Sequence, residues 1–143
     1  VYRYFTTKDE TVFWDPWDPL IVAALERRPS GEQPLDSLME LIEGMWELMR
    51  SDEVTMRRRV ELILREPALR SAMGDHFDSG VDLIVGALAA RSDLDADDFE
   101  LRVIANTFVS ALMVALTAWG RGGGDLLELT RRAMAVLASG ARL

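Results

Sequence analysis

The chain has no cysteine and a single histidine, His76. The first absence removes disulfides, thiolate metal sites and cysteine nucleophiles, and it fits a reducing cytoplasm. The second removes any multi-histidine metal centre. Positive charge is scarce too: 24 acidic residues face 16 Lys and Arg, a net charge of −8. Binding to a phosphate backbone depends on Lys and Arg displacing counterions, so the bulk of this domain should not grip nucleic acid. Any DNA contact needs a separate basic segment. No stretch alternates with period two for long enough to indicate a sheet. The chain opens on Val1 without a Met or a basic-then-apolar leader, which reads as the start of a fragment rather than a signal peptide. The least polar stretch, residues 103–119, is short for a membrane span and is interrupted by Asn106, Thr107 and Ser110, so no membrane association is expected.

What is present is enough for one domain with a real core: 143 residues, 49% of them hydrophobic. Helical periodicity dominates, punctuated by Pro, Gly and Asp, and the fold class is all-α. Residues 1–5 read as a helix end, broken at Thr6. Thr7 and Glu10 have capping-box spacing and start a helix through Val12, Phe13 and Trp14 that stops before Pro16. Pro19 lies near the start of a helix reaching Arg28, and Pro29, Ser30 and Gly31 form a loop. Pro34 suits a first helical turn, after which Leu38, Leu41, Ile42, Met45, Trp46 and Met49 share one face. Ser51 or Asp52 opens a helix with Met56, Val60, Ile63 and Leu64 on one side. Pro67 opens another, carrying Leu69, Met73, Phe77, Val81, Ile84, Val85 and Leu88. Gly74, Gly80 and Gly86 recur within it, each weakening a helix by about 1 kcal/mol relative to Ala, so a bend or a close approach is expected there. Asp95 and Asp98 mark the start of a helix over 96–119, residues 120–124 read as a flexible break, and Asp125 with Glu128 caps a last helix over 126–139.

Between Leu101 and Trp119 the penultimate helix is apolar on nearly all sides and must be buried on more than one face. Two copies of the last two helices would make a four-helix bundle about a twofold axis. The expected seam uses Val103, Thr107, Val114, Ala118, Leu126, Leu129, Ala133, Met134 and Leu137. The competing arrangement buries both faces inside one chain.

No catalytic constellation emerges, and neither a metal nor a cofactor is expected. His76, between Asp75 and Phe77, reads as a surface or hydrogen-bonded structural residue. Asp93, Asp95, Asp97, Asp98 and Glu100 lack EF-hand spacing and its turn glycine, so capping and solvation explain them better. The glycine run contains no phosphate-loop Lys and follows no strand. Arg57, Arg58 and Arg59 span most of a helix circumference. Surface ion pairs, for example of Arg57 with Glu53 or Glu61, are the ordinary reading. A polar rim for an anionic ligand is the alternative for one of them.

The segment Val1-Tyr2-Arg3-Tyr4-Phe5-Thr6-Thr7-Lys8-Asp9-Glu10 resembles the junction after the recognition helix of TetR-family regulators. That junction has an aliphatic residue, Tyr, any residue, His or Tyr, Phe, a short turn, then Lys and an acid. Every place is filled, and the all-helical remainder is similar to the family's architecture. Residues 12–19 (VFWDPWDP) look most like regulators associated with mycofactocin gene clusters. The resemblance implies a TetR-like helical bundle in two parts: residues 1–8 as the remnant of a helix-turn-helix head, and residues 9–143 as the effector-binding and dimerisation domain. It implies a cytoplasmic homodimer on a DNA operator, most simply a repressor. Tyr2 and Lys8 would contact phosphates, a role for which a phenol and an ammonium at a helix junction are suited. The base-reading residues would fall before Val1.

The same resemblance raises Trp14, Trp17, Met45, Trp46, Met49, Met56, Val60, Phe77, Val81 and Phe108 from ordinary core to candidate lining of an effector pocket, with Asn106 and Ser110 as polar anchors. Interhelical pockets are largely apolar with few polar groups, and Met lines adaptable cavities. A hydrophobic small molecule, acyl-CoA among the candidates, is the implied effector. A helical binding or interaction module without DNA function is the rival reading.

Overall fold

The computed structural model describes residues 18–142. They form six α-helices: α1 (Asp18–Glu26), α2 (Pro34–Met49), α3 (Glu53–Arg65), α4 (Pro67–Ser92), α5 (Phe99–Gly120) and α6 (Leu126–Ala138). One 3-10 turn, Arg50–Asp52, joins α2 to α3. No strand occurs among the described residues, and the all-α bundle is as the periodicity implies. The helix expected from Thr7 and the stub before it lie outside the described residues.

Local chemistry sets most of the boundaries. Pro34 and Pro67 sit in the first turns of α2 and α4, where a missing N–H costs nothing. Asp98 caps α5 by accepting from Leu101 N at 3.0 Å, and Asp125 caps α6 by accepting from Glu128 N at 2.9 Å. The start of α5 falls at Phe99, not residue 96, because the Asp95 carbonyl accepts from Asp98 N in a separate turn at 3.0 Å. The glycine run after α5 is an ordered cap rather than a flexible break. Gly123 N donates to Ala118 O at 2.9 Å and Gly122 N to Trp119 O at 3.0 Å, with Gly122 at φ 87°. This is a Schellman motif, whose left-handed residue favours glycine. Gly140, at φ 80°, closes α6 in the same way.

The larger core gathers Leu25 from α1, Leu38, Leu41 and Met45 from α2, Val81, Val85 and Leu88 from α4, Leu101, Ala105 and Phe108 from α5, and Met134 from α6. A smaller cluster holds Trp46, Ala115, Trp119, Leu126 and Leu127, with Met56 and Val60 packed against it. Helix α3 lies on α4 and α5, yet alone among the six it has no fully buried residue. Gly74, Gly80 and Gly86 permit no close approach among the described residues, since a Cβ on any of them would meet none of them within 4 Å. The close approach occurs at Gly120, where a Cβ would lie 2.6 Å from Val60 Cγ1 and 2.9 Å from Leu64 Cδ1.

Candidate effector region and dimerisation face

The candidate pocket residues divide between the two clusters. Met45, Val81 and Phe108 are buried in the larger one, with Met49 and Phe77 against it. Trp46 anchors the smaller one, beside Met56 and Val60. Asn106 and Ser110 are not brought into either, because both are exposed on α5. Asn106 Nδ2 donates to its own helix at Arg102 O, 2.7 Å away, and neighbouring Thr107 Oγ1 donates to Val103 O at 2.6 Å, the usual way a short polar side chain is satisfied on a helix. Trp14, Trp17, Tyr2 and Lys8 lie outside the described residues.

Two open depressions of about 230 Å³ each flank the core. One, between α1 and α2, is lined by Ala24, Arg27, Arg28, Glu40, Leu41, Gly44 and Met45. The other borders the α1–α2 loop and the ends of α4 and α5, where Glu32, Leu88, Arg91 and Leu101 line it. Neither coincides with the candidate set as a whole. The aromatic and Met side chains are packed together.

On the outward side of α5, Phe99, Val103 and Val114 are 75, 48 and 68% exposed. Asn106, Thr107 and Ser110 are exposed between them, and Ala118 is half-buried. The spacing of these positions runs down one helix face. In the most apolar 18-residue window of α5, mean hydropathy is 1.7 but only 28% of residues are buried. By length and composition this helix could cross a membrane, a test that core helices of globular proteins also pass. On α6 the expected seam residues separate. Leu126 and Met134 are 5 and 1% exposed and belong to the chain's own core. Leu129, Ala133 and Leu137 are half-buried.

Polar ties link α2 and α3 to these last helices. Arg131 on α6 grips Glu43 on α2 through two hydrogen bonds of 2.6 and 2.7 Å, and the bonded guanidinium lowers the Glu43 pKa below its ordinary value. Arg57 does not serve as the expected surface ion-pair partner. Its guanidinium stands 4.6 Å over the Trp119 ring and donates to Trp119 O at 3.1 Å and Gly124 O at 3.3 Å. It thus ties α3 to the end of α5 by a cation–π contact and two carbonyls. At the other end of the molecule, Arg91 donates to Pro29 O and to the buried Ser37 Oγ, both at 2.6 Å. Ser37 donates to Glu32 at 2.7 Å, and Arg28 Nε reaches the same carboxylate at 2.8 Å. These bonds, Arg28 first and Ser37 second, hold Glu32 down to about 2 from 4.5. Sequence periodicity has no signal for the hydrogen bonds of Arg57, Arg91 and Arg131, which span 54–88 residues. His76 is exposed on α4. Among the described residues no group of three His, Asp or Glu is placed to hold a metal ion.

Residues 32–142 match the family model for the MftR C-terminal domain. No curated protein matches the chain. The match covers α2 to α6, with both clusters' α2 members and the α5–α6 pair inside it. Members of the TetR family act in general as DNA-binding homodimers and not as enzymes. The chain belongs to the MftR C-terminal domain family and is the C-terminal body of a TetR-family transcriptional regulator.

Proposed function

We propose that this chain is the effector-responsive, dimerising body of a cytoplasmic DNA-binding repressor, and that its effector is a hydrophobic molecule bearing an acyl group, such as an acyl-CoA. The observation that carries this reading is the division of α5. Its inner side, through Phe108 and Trp119, closes both Met- and Trp-containing clusters. Its outer stripe of Phe99, Val103 and Val114 stays bare. One rigid helix then borders both the effector region and a second copy of the chain, so a ligand that shifts α5 shifts the subunit arrangement. The half-buried faces of Leu129, Ala133 and Leu137 extend the seam onto α6, whereas Leu126 and Met134 support it from within. Residues 9–143 form this body. Residues 1–8 end the helix-turn-helix head, with Tyr2 and Lys8 on phosphates.

The effector claim is tested by heating the chain with and without medium- and long-chain acyl-CoAs. A ligand at a hundredfold its Kd stabilises the native state by about 2.7 kcal/mol, which raises Tm by several degrees for a domain of this size. No shift with any chain length counts against an acyl effector.

A further inference from the structure

Two buried side-chain donors among the described residues have no hydrogen-bond partner: Arg91 Nε and Trp119 Nε1. They differ in kind. Arg91 is otherwise bonded to three oxygens and borders an open depression that admits water. Trp119 is fully buried, and the side chains clustered with it are Trp46, Ala115, Leu126 and Leu127, with Met56 and Val60 from α3. None of these side chains carries an oxygen, and no other group among the described residues accepts from Trp119 Nε1. A buried donor left unmet costs roughly 1–3 kcal/mol, and native interiors rarely keep one without a reason.

We propose that Trp119 Nε1–H is the donor that receives the acyl carbonyl oxygen of the effector, at a site beneath α3. The proposal rests on the acyl-effector reading above and adds its anchoring group. An acyl group suits the place because its carbonyl accepts without donating, while its hydrocarbon chain can take over apolar contacts from Met56, Val60 and Trp46. Helix α3 is the lid best able to yield, since no residue on it is fully buried. Arg57 tethers that lid by standing over the Trp119 ring and bonding the Trp119 and Gly124 backbone carbonyls.

The test uses the full chain, labelled with 15N at tryptophan, and two probes that share a C12 chain headed by an acceptor oxygen: dodecanoate, a carboxylate, and dodecanoyl-CoA, a thioester. The four tryptophans give four indole signals, and Trp119→Phe identifies one of them by its loss. Binding is followed in parallel by Tm. The expected result is a downfield shift of the Trp119 indole proton on saturation with at least one probe, and a weakening of that probe's Kd by about fivefold or more in Trp119→Phe. Response to the thioester alone, or to the acid alone, names the source and supports the assignment. If a probe binds but the Trp119 signal stays in place and Trp119→Phe binds equally well, the assignment is overturned while the acyl reading stands. If neither probe binds, the assignment is overturned, and the acyl reading falls with it when the chain-length series above also gives no shift. Should Trp119→Phe fail to fold, the wild-type titration decides, with the Trp119 signal assigned through its backbone.

Discussion

Arg91 reaches back 62 residues to Pro29, and Arg57 reaches forward 62 residues to Trp119. The two ties look alike on paper, but they sit in different surroundings. Arg91 closes a polar knot in which Ser37 is fully buried and Glu32 is held by both Ser37 and Arg28. It joins the well-buried end of α4, around Leu88 and Ala89, to the start of α2. Arg57 joins a helix with no fully buried residue to a tryptophan whose own N–H is unmet. The difference lies in the helix each arginine comes from: Arg91 sits on a helix with six buried residues, Arg57 on one with none. On the proposed reading, the Arg91 end is the frame and the Arg57 end, where α3 can yield, is the part that responds.

Neither tie lies on the outer stripe of α5, so dimerisation should be separable from both. Val114→Arg places a cation on each side of the proposed seam at a position 68% exposed in the single chain. Burying two unpaired charges should weaken the dimer by about a hundredfold or more. Light scattering should then report a monomer with unchanged helical content, whereas Arg57→Ala and Arg91→Ala should remain dimers. If Val114→Arg stays dimeric, the seam lies elsewhere.

Next in size is the contrast between the arginines. Arg91→Ala leaves the Ser37 hydroxyl and the Pro29 carbonyl without their charged donor and should destabilise by about 2–3 kcal/mol. Arg57→Ala removes a half-exposed cation–π contact and two longer bonds, for about 1 kcal/mol. Urea unfolding of the two variants checks the order, and a larger loss for Arg57→Ala would reverse the assignment of frame and movable end.

Acid should act on the frame through Glu32. Its folded pKa, about 2, lies below the ordinary 4.5, so the stabilisation from its bonds is complete above about 4.5 and is lost as pH falls through about 2. The stability gap between wild type and Glu32→Gln should therefore shrink across that window. Unfolding curves at a series of pH values measure it, and a gap independent of pH would remove Glu32 from the frame.

The smallest effects concern glycines. Gly86→Ala, with open space where its Cβ would go, should stabilise α4 by roughly 0.5–1 kcal/mol. Gly120→Ala should do the opposite, because the new Cβ would press Val60 and Leu64 away and overpack the crossing of α3 and α5. Thermal melts of the pair separate the two settings.

Much of this was legible in the sequence, and the reasons are specific. Pro34, Pro67, Asp98 and Asp125 act within one turn of their own positions, so local patterns located α2, α4, α5 and α6. The apolar face of α2 has contrast, and Met45 and Trp46, which fall on it, are buried. Helix α5 had little contrast, because apolar residues surround it. Which way Asn106 and Ser110 point was therefore invisible, and they lie on the outside instead of in a pocket. On α6 the same difficulty mixed Leu126 and Met134, which serve the chain's own core, with the more exposed seam candidates. Arg57 over Trp119 depends on a helix crossing, not on spacing, and no local pattern encodes it. The family resemblance rested on residues 1–19, nearly all outside the described part of the structure, while the family match rests on residues 32–142.

Hydrogen exchange of the full chain, with and without saturating dodecanoyl-CoA, tests the division into frame and responsive end most directly. The account predicts faster exchange in α3 and at the end of α5 than in residues 29–37 and the second half of α4, with ligand protection concentrated in α3 and around Trp119. Protection confined to residues 29–37 and the end of α4, with α3 unchanged, would contradict it.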